Sequence, residues 1–273
     1  MKVNLISDSS IALNKELEEK LEVKKVPFFL ELDDEHYLDD DKFDTLDFVN
    51  KMKESDNVPK SAAPSPQAFF EKIEDDKENF IITISSKLSG TYQNAKIAEG
   101  MAENKYTYVI DSKSAVTGPT LIAIKLKEFE EKGYSFDEKV EKIEEFVSDM
   151  ETFFVLEDFT NLIKNGRARK IAGALAKVLH IVPLSKGKDG SIELLGQARG
   201  MKRALKKLVD EIVKSAKDKE NKICVIAHVF NEEAYKMIKK ELEKRNIFES
   251  IEIVEPSGLG ASYANKGGIV VSF

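Results

Sequence analysis

Short apolar runs alternate with stretches of helical spacing along the first half of the chain. Four of these runs, Lys2–Ser7, Val23–Leu32, Phe80–Ile84 and Tyr106–Ile110, are rich in β-branched or aromatic residues and predict strands. Each is followed by a polar loop, and the segments between them carry apolar residues at the spacing of amphipathic helices. This order predicts a parallel sheet whose ligand groups gather at the carboxyl ends of the strands.

The second half has a different pattern. Two long amphipathic helices are predicted over Lys202–Ala216 and Glu232–Lys244. We therefore expect an α/β protein of two domains. Residues 1–157 would form a parallel-sheet α/β domain, and residues 158–273 an α+β domain with a mixed or antiparallel sheet. The strands predicted for the second sheet are Phe153–Leu156, Ile181–Leu184, Ile192–Gln197, Ile223–Val229, Ile251–Val254 and Ile269–Ser272.

The charge is distributed unevenly over these two segments. The whole chain of 273 residues has a net charge of −7, with −15 in residues 1–157 and +8 in residues 158–273. An acidic total argues against general nucleic-acid binding. The basic half could meet an acidic partner or an anionic ligand, or the two halves could simply attract each other.

The chain shows no sign of export or membrane insertion. Its first residues, MKVNLISDSS, lack the apolar core and cleavage site of a signal peptide, and no apolar run approaches the roughly 18 residues of a membrane span. Cys224 is the single cysteine, so an internal disulfide and a multi-thiolate metal site are excluded. We expect a cytoplasmic protein without a metal or cofactor.

One strand–loop–helix unit, Thr83–Ala95, has the form of an anion site. The loop ends at Ser89 and Gly90, where free N–H groups at the start of a helix attract negative charge. The alternative is an ordinary N-cap. In a parallel α/β fold, the loop containing Ser61 would lie on the same rim, so that two hydroxyls could bind one carboxylate.

Other polar groups follow predicted strands, namely Asp8–Ser10 and Asp111–Ser114. We interpret them as caps or loop-stabilising hydrogen bonds that at most support the ligand groups. The acidic run Asp39–Asp41 is interpreted as a solvated loop.

Catalytic motifs are missing from the sequence. It contains no G-x-S-x-G nucleophile turn, no G-x-x-x-x-G-K-[ST] loop and no G-x-G-x-x-G after a strand. His36, His180 and His228 lack the spacing of metal ligands. A hydrolase or transferase that pairs Ser89 with His228, which ends a predicted strand, remains an alternative.

Basic residues after a predicted helix end form a second candidate region. Arg167 follows the C-cap pair Asn165–Gly166 and is a candidate for contact with a phosphate or with a carboxylate of a partner. Together with Arg169 and Lys170, it could dock an acidic partner, which would make the chain a regulatory or partner-binding module.

Taken together, the motifs resemble those of the DegV family over nearly the whole chain. The SSKLSGTY segment is similar to the family's S-S-x-L-S-G-T-Y motif, and SAAPSP to its T-S-Q-P-S loop. The segments that carry the resemblance are Ile6–Ser10, Ser61–Pro66, Ser85–Gln93, Asp111–Gly118, Asn165–Arg167 and Ala198–Ala204.

The resemblance implies a function. Members of this family bind a long-chain fatty acid in a tunnel between two α/β domains. By this likeness, the hydroxyls of Ser61 and Ser89 and the N–H of Gly90 would hold the carboxylate. The family role is that of a carrier, not an enzyme, and in some bacteria it presents the acid to a separate kinase for phospholipid synthesis. We expect a monomer.

One segment departs from the family pattern. Where the family commonly has G-x-H-x-G-P-G, this chain has Ser262 in the place of the histidine, and the G-P-G is absent. The candidates to replace the imidazole are the Ser262 hydroxyl, Tyr263 and Lys266.

Overall fold

The computed structural model describes residues 1–175, 181–216 and 223–273. Its first half alternates strands and helices largely as the hydrophobic pattern predicts. In chain order the elements are β1 (Val3–Asp8), α1 (Lys15–Leu21), β2 (Lys24–Val26), β3 (Phe29–Leu32), β4 (Glu35–Leu38), α2 (Thr45–Glu54), β5 (Lys60–Ala62), α3 (Pro66–Phe70), β6 (Glu78–Thr83), α4 (Thr91–Met101), β7 (Thr107–Asp111), α5 (Thr117–Glu131) and α6 (Phe136–Asp149).

The second half contains a larger sheet and further helices. They are β8 (Thr152–Val155), α7 (Thr160–Lys164), α8 (Arg169–Leu175), β9 (Ile181–Lys188), β10 (Ser191–Arg199), α9 (Met201–Ala216), β11 (Ile223–His228), α10 (Glu232–Glu243), β12 (Ser250–Val254), α11 (Gly258–Ala264) and β13 (Ile269–Ser272).

The first sheet is parallel, with strand order β2-β1-β6-β7. Helices cover both faces of this sheet, as is usual for parallel strands made of continuous apolar runs. Leu5 and Phe80 pack with helices α5 and α6 on one face, and Ile6 and Ile81 pack with α3 and α4 on the other. The predicted parallel α/β arrangement is confirmed.

The second sheet is mixed, with strand order β10-β9-β8-β13-β11-β12. Strands β11 and β12 run parallel, and the other neighbours are antiparallel. Helix α5 lies between this sheet and the first one, because its residues 121–124 pack both on Leu5 and Phe80 and on Val225 and Val270. The predicted mixed sheet is confirmed.

Strand β8 lies before residue 157 and pairs with both β9 and β13. The domain boundary at residue 157 stays a prediction. The predicted helix over Gly173–Leu179 coincides with α8 up to Leu175, and its remainder, together with His180, lies outside the described residues.

The prediction of one strand over Val23–Leu32 is wrong. The segment divides at Pro27 into β2, which extends the parallel sheet, and β3, which joins a small antiparallel sheet of order β4-β3-β5. Proline has no N–H to offer to a strand ladder, so the chain can leave the first sheet at this point. Ser61, predicted in a loop, lies in β5 opposite Leu30.

The acidic segment 33–44 is not simply a loop. It contains β4, and Asp39, predicted to be solvated, is buried. The Asp39 carboxylate accepts the N–H groups of Gly258 (2.8 Å) and Leu259 (3.0 Å) at the start of α11, a helix that the hydrophobic pattern did not predict. It also accepts the Ser9 hydroxyl at 2.7 Å, so it joins β1 to α11.

Candidate ligand-binding cavity

A cavity opens where the parallel sheet faces the mixed sheet. The space between protein atoms here is about 890 Å³, a figure that includes open solvent at the mouth of the cavity. The wall is mainly apolar. Its apolar side chains include Phe28, Ile84, Phe154, Leu156, Ile192 and Leu259.

Two groups of elements build this cavity. Ser10, Ile84 and Ala115 follow the carboxyl ends of β1, β6 and β7, which is the edge where parallel sheets usually bind ligands. The opposite wall comes from the mixed sheet, including Phe154 on β8 and Gly187 near the tip of the β9–β10 hairpin. The tip is attached to the first half, because the buried Ser85 hydroxyl donates to the carbonyl of Gly190 at 2.7 Å.

Polar side chains from four separate segments line the cavity, and three of them contact one another. The hydroxyls of Ser61 on β5 and Tyr263 on α11 share a hydrogen bond of 3.0 Å. The guanidinium of Arg167 lies 5.4 Å from the centre of the Tyr263 ring. Ser89 also lines the cavity, and its hydroxyl shares a 2.8 Å hydrogen bond with Thr91. We call Ser61, Ser89, Arg167 and Tyr263 the carboxylate cluster.

Local structure fixes Arg167 in this cluster. Gly166 ends α7 in a left-handed conformation (φ +82°), as the Asn165–Gly166 pair predicts, and the chain turns toward the cavity. The Arg167 side chain donates to the carbonyls of Leu88 (3.2 Å) and Asn165 (2.9 Å). A guanidinium has five N–H donors, so donors remain for a bound anion.

The end of α7 also helps to position Ser61. The Asn165 amide donates to the carbonyl of Pro59 at 3.0 Å, which ties the end of α7 to the start of β5. A hydroxyl–hydroxyl pair and an arginine in an apolar wall can bind a carboxylate, because charge-assisted hydrogen bonds are stronger than neutral ones.

The other residues predicted at the site lie elsewhere. Gly90 is exposed at the start of α4 and is not part of the cavity wall. The Ser262 hydroxyl is buried and donates to the carbonyl of Gly258 at 2.6 Å, one turn earlier in α11, whereas its neighbour Tyr263 lines the cavity. Lys266 is exposed, and it does not line the cavity either.

Of the basic residues predicted to dock a partner, Arg167 lines the cavity and Arg169 does not. Arg169 is exposed and its guanidinium lies beside Gly166. The side chain of Lys170 is outside the described part of the chain. Docking of a partner by Arg167, Arg169 and Lys170 stays a prediction.

The structure does not bring Ser89 and His228 together. His228 lines a different, more polar cavity with the 41–46 segment. Its Nδ1 accepts the N–H of Asn231 at 3.3 Å, and its ring stacks on Tyr235 with centroids 4.5 Å apart. Burial lowers the pKa of His228. The pair has no geometry for nucleophilic catalysis, which requires direct hydrogen-bond reach.

Two buried carboxylates near the cavity were not predicted as functional. Asp8, at the end of β1, accepts the N–H groups of Ile84 (2.8 Å) and Ser10 (3.0 Å), and its burial raises its pKa to about 6. Burial also raises the pKa of Asp39. The sequence signal was an acidic residue directly after a buried strand, but that signal does not distinguish a cap from a ligand group.

Two further findings concern the described ranges as a whole. None of their helices combines the length and apolar character needed to cross a bilayer. The same ranges contain no cluster of three or more potential metal-ligating side chains.

Known proteins resemble this chain over its full length. The family model of the DegV family matches residues 2–273. A DegV domain-containing protein of Streptococcus pneumoniae is 31% identical over 253 residues, which are 91% of this chain and 89% of that protein.

Solved structures of similar proteins also superpose on this chain. A DegV-family protein of Ruminococcus gnavus with vaccenic acid superposes with a TM-score of 0.93 at 33% identity and covers 99% of both chains. The fatty acid kinase (Fak) B3 protein of Streptococcus pneumoniae loaded with linoleic acid superposes with a TM-score of 0.90 at 28% identity, over 100% of this chain and 99% of that one. The resemblance read from the motifs is confirmed, and this chain belongs to the DegV family.

Proposed function

We propose that this chain binds one long-chain fatty acid in the cavity and holds its carboxylate at Ser61, Ser89, Arg167 and Tyr263. The observation that carries the proposal is the contact of the Tyr263 side chain with both the Ser61 hydroxyl and the Arg167 guanidinium, in a mainly apolar wall that Ser89 also lines. Similar proteins have been solved with vaccenic and linoleic acids. The chain thus has an apolar cavity for the acyl chain and polar groups for the carboxylate.

The energetics favour such a ligand. Each methylene buried contributes about 0.8 kcal/mol, so an apolar cavity supplies most of the affinity. An unpaired buried carboxylate would be very costly, and the carboxylate cluster removes that cost. The proposal uses Tyr263 where the sequence suggested Ser262, because the Ser262 hydroxyl is already bonded within α11. Gly90 is left out because it does not line the cavity.

The test begins with freshly purified protein. Mass spectrometry after denaturation should release long-chain acids, and delipidated protein should bind added palmitic or oleic acid in a displacement assay. Finding neither a copurified acid nor binding of added acids contradicts the proposal.

We further propose that the chain carries the acid to a separate kinase, as the name of the Streptococcus pneumoniae B3 protein suggests for that relative. The sequence has no phosphate-binding G-x-x-x-x-G-K-[ST] loop of its own. Acid-loaded protein should form acyl phosphate from ATP only when a fatty acid kinase is added. Formation without a kinase would show that the chain catalyses the transfer itself. A cytoplasmic location and a monomeric state remain predictions from the sequence.

A further inference from the structure

The cavity extends along strand β8. Thr152 and Phe154 on this strand, and Leu156 directly after it, all line the cavity, because alternate residues of a strand face the same side. At about 3.3 Å per residue, this row is about 13 Å long. Leu156 packs in the same apolar cluster as Tyr263, so it marks the end of the row that is nearer to the carboxylate cluster. Thr152 marks the far end.

A glycine lies at this far end. Ser185 on β9 is opposite Phe154, so Gly187, two residues further along β9, lies beside Thr152. On its other side Gly187 is opposite Ile192 of β10. Gly187, Thr152 and Ile192 all line the cavity. The missing side chain of Gly187 therefore leaves a notch in the wall between a threonine and an isoleucine.

The packing around Gly187 does not itself require a glycine. A Cβ atom added there would lie 3.7 Å from the Cβ of Thr152 and 3.8 Å from the carbonyl oxygen of Lys113, which are ordinary van der Waals distances. The backbone does not require a glycine either, because Gly187 is not one of the glycines with positive φ. A glycine inside a strand weakens the strand and often marks a place where a ligand approaches the backbone closely.

Open space continues beyond the notch. A second cavity of about 520 Å³, a figure that includes open solvent, shares Lys113, Thr152 and Gly187 with the first cavity. Its wall also includes Val147 and Met150 at the end of α6. The two cavities are therefore neighbours at Gly187, and the far end of the first cavity is not closed by a packed core.

We propose that Gly187 sets the length of the acyl chain that this protein accepts. The notch lets the methyl end of a long chain pass between Thr152 and Ile192 toward the second cavity. The inference rests on the proposed function, because it concerns the same ligand and the same cavity. A side chain at position 187 would close the notch and leave room for shorter acids only, since closely packed walls resist added volume.

The experiment compares lauric, myristic, palmitic and stearic acids. Their affinities are measured by displacement of a fluorescent fatty acid from delipidated wild type and from the Gly187→Val and Gly187→Ala variants. In the wild type, affinity should rise with chain length up to stearic acid, because each further buried methylene contributes to binding.

The Gly187→Val variant should bind lauric acid within about twofold of the wild type and stearic acid about tenfold more weakly, which corresponds to the loss of about two buried methylenes. Gly187→Ala should cause a smaller shift in the same direction. Valine is favoured in strands, so folding should be retained.

Gly196→Val is the matched control. It adds the same side chain to β10 at a position that does not line the cavity, and a Cβ there has no described atom within 4 Å. This variant should keep the wild-type dependence on chain length.

The outcomes separate this inference from the proposed function. If the wild type binds acids and Gly187→Val keeps the same dependence on chain length, or weakens all four acids equally, the inference is overturned and the fatty-acid site stands. A wild type that binds stearic acid no tighter than lauric acid also overturns it. If no acid binds the wild type, the proposed function and the inference fall together. Should Gly187→Val fail to fold, the comparison of Gly187→Ala with the wild type decides.

Discussion

The hydroxyl of Tyr263 lies 3.0 Å from the hydroxyl of Ser61, although 202 residues separate them along the chain. Tyr263 is on α11 and Ser61 on the edge strand β5, so the contact exists only when the C-terminal helix is docked on the small antiparallel sheet. The proposed carboxylate site is therefore assembled by the tertiary structure.

Tyr263→Phe tests which residue of α11 serves the carboxylate. Loss of a hydrogen bond to a charged group costs about 1.5–3 kcal/mol, so we expect binding of palmitic acid to weaken by about tenfold or more. Ser262→Ala is the matched control, since its hydroxyl is bonded to Gly258. The measurement is a displacement titration. A larger effect of Ser262→Ala than of Tyr263→Phe would return the role to Ser262.

Arg167→Gln removes the positive charge from the cluster. We expect weaker fatty-acid binding, by about 1.5–3 kcal/mol, because a charge-assisted hydrogen bond is lost. Arg169→Gln removes an equal charge from an exposed neighbouring position and should change affinity little. Titrations at several salt concentrations provide the measurement. Equal losses in both variants would indicate a general charge effect and not a direct contact.

Asp39→Ala should destabilise the protein. The substitution leaves the buried N–H groups of Gly258 and Leu259 and the Ser9 hydroxyl without their acceptor, at about 1–3 kcal/mol for each buried group left unpaired. The decrease should appear in urea unfolding. Because α11 carries Tyr263, fatty-acid affinity should fall as well. Asp41→Ala changes an exposed carboxylate of the same segment and should have a small effect; an equally stable Asp39 variant would contradict the capping role.

Asp8 should make the free energy of unfolding depend on pH. Its pKa is raised from 3.8 to about 6 in the folded protein, so the folded state binds the proton more tightly than the unfolded state. The resulting stabilisation is complete below about pH 3.8 and is lost as pH rises through about 6. As the pH falls from about 7.5 to about 5, Asp8 should add on the order of 1 kcal/mol to the wild-type unfolding free energy.

Comparison with Asp8→Asn isolates this contribution, because Asp39 and the other carboxylates titrate in both proteins. The difference between wild type and variant should shift in favour of the wild type as the pH falls. A constant difference over this range would mean that Asp8 titrates normally in the folded state.

Much of the fold was predictable from local patterns. The strands of the parallel sheet, the long helices α9 and α10, and the turn at Asn165–Gly166 follow from apolar spacing and from the preferences of glycine and proline. The segment around Pro27 was not predictable in the same way. Its alternating pattern suits any strand, and only the pairing partners decide which sheet each half joins.

Some residues of the candidate site were likewise predictable from local patterns, and others were not. Ser61 and Ser89 were predicted as carboxylate ligands from motifs, whereas Arg167 was predicted only as a residue that docks a partner. The burial of Asp39 carries no such signal. Asp39 lies in an acidic run, and such a run predicts solvent exposure. Its burial follows only from the packing of α11, which it caps and which lies more than two hundred residues further along the chain.

The sequence by itself determined the alternation of strands and helices, the family, and the residue types available to bind an anion. These properties depend on local propensity and on the order of motifs, which residues close together in the sequence define. Only the tertiary structure decided that Tyr263 and not Ser262 faces the cavity, that His228 lies apart from Ser89, and that Asp39 is buried at the start of α11. These outcomes depend on how a helix is rotated and which surfaces bury one another, and such long-range packing is set by the whole chain at once.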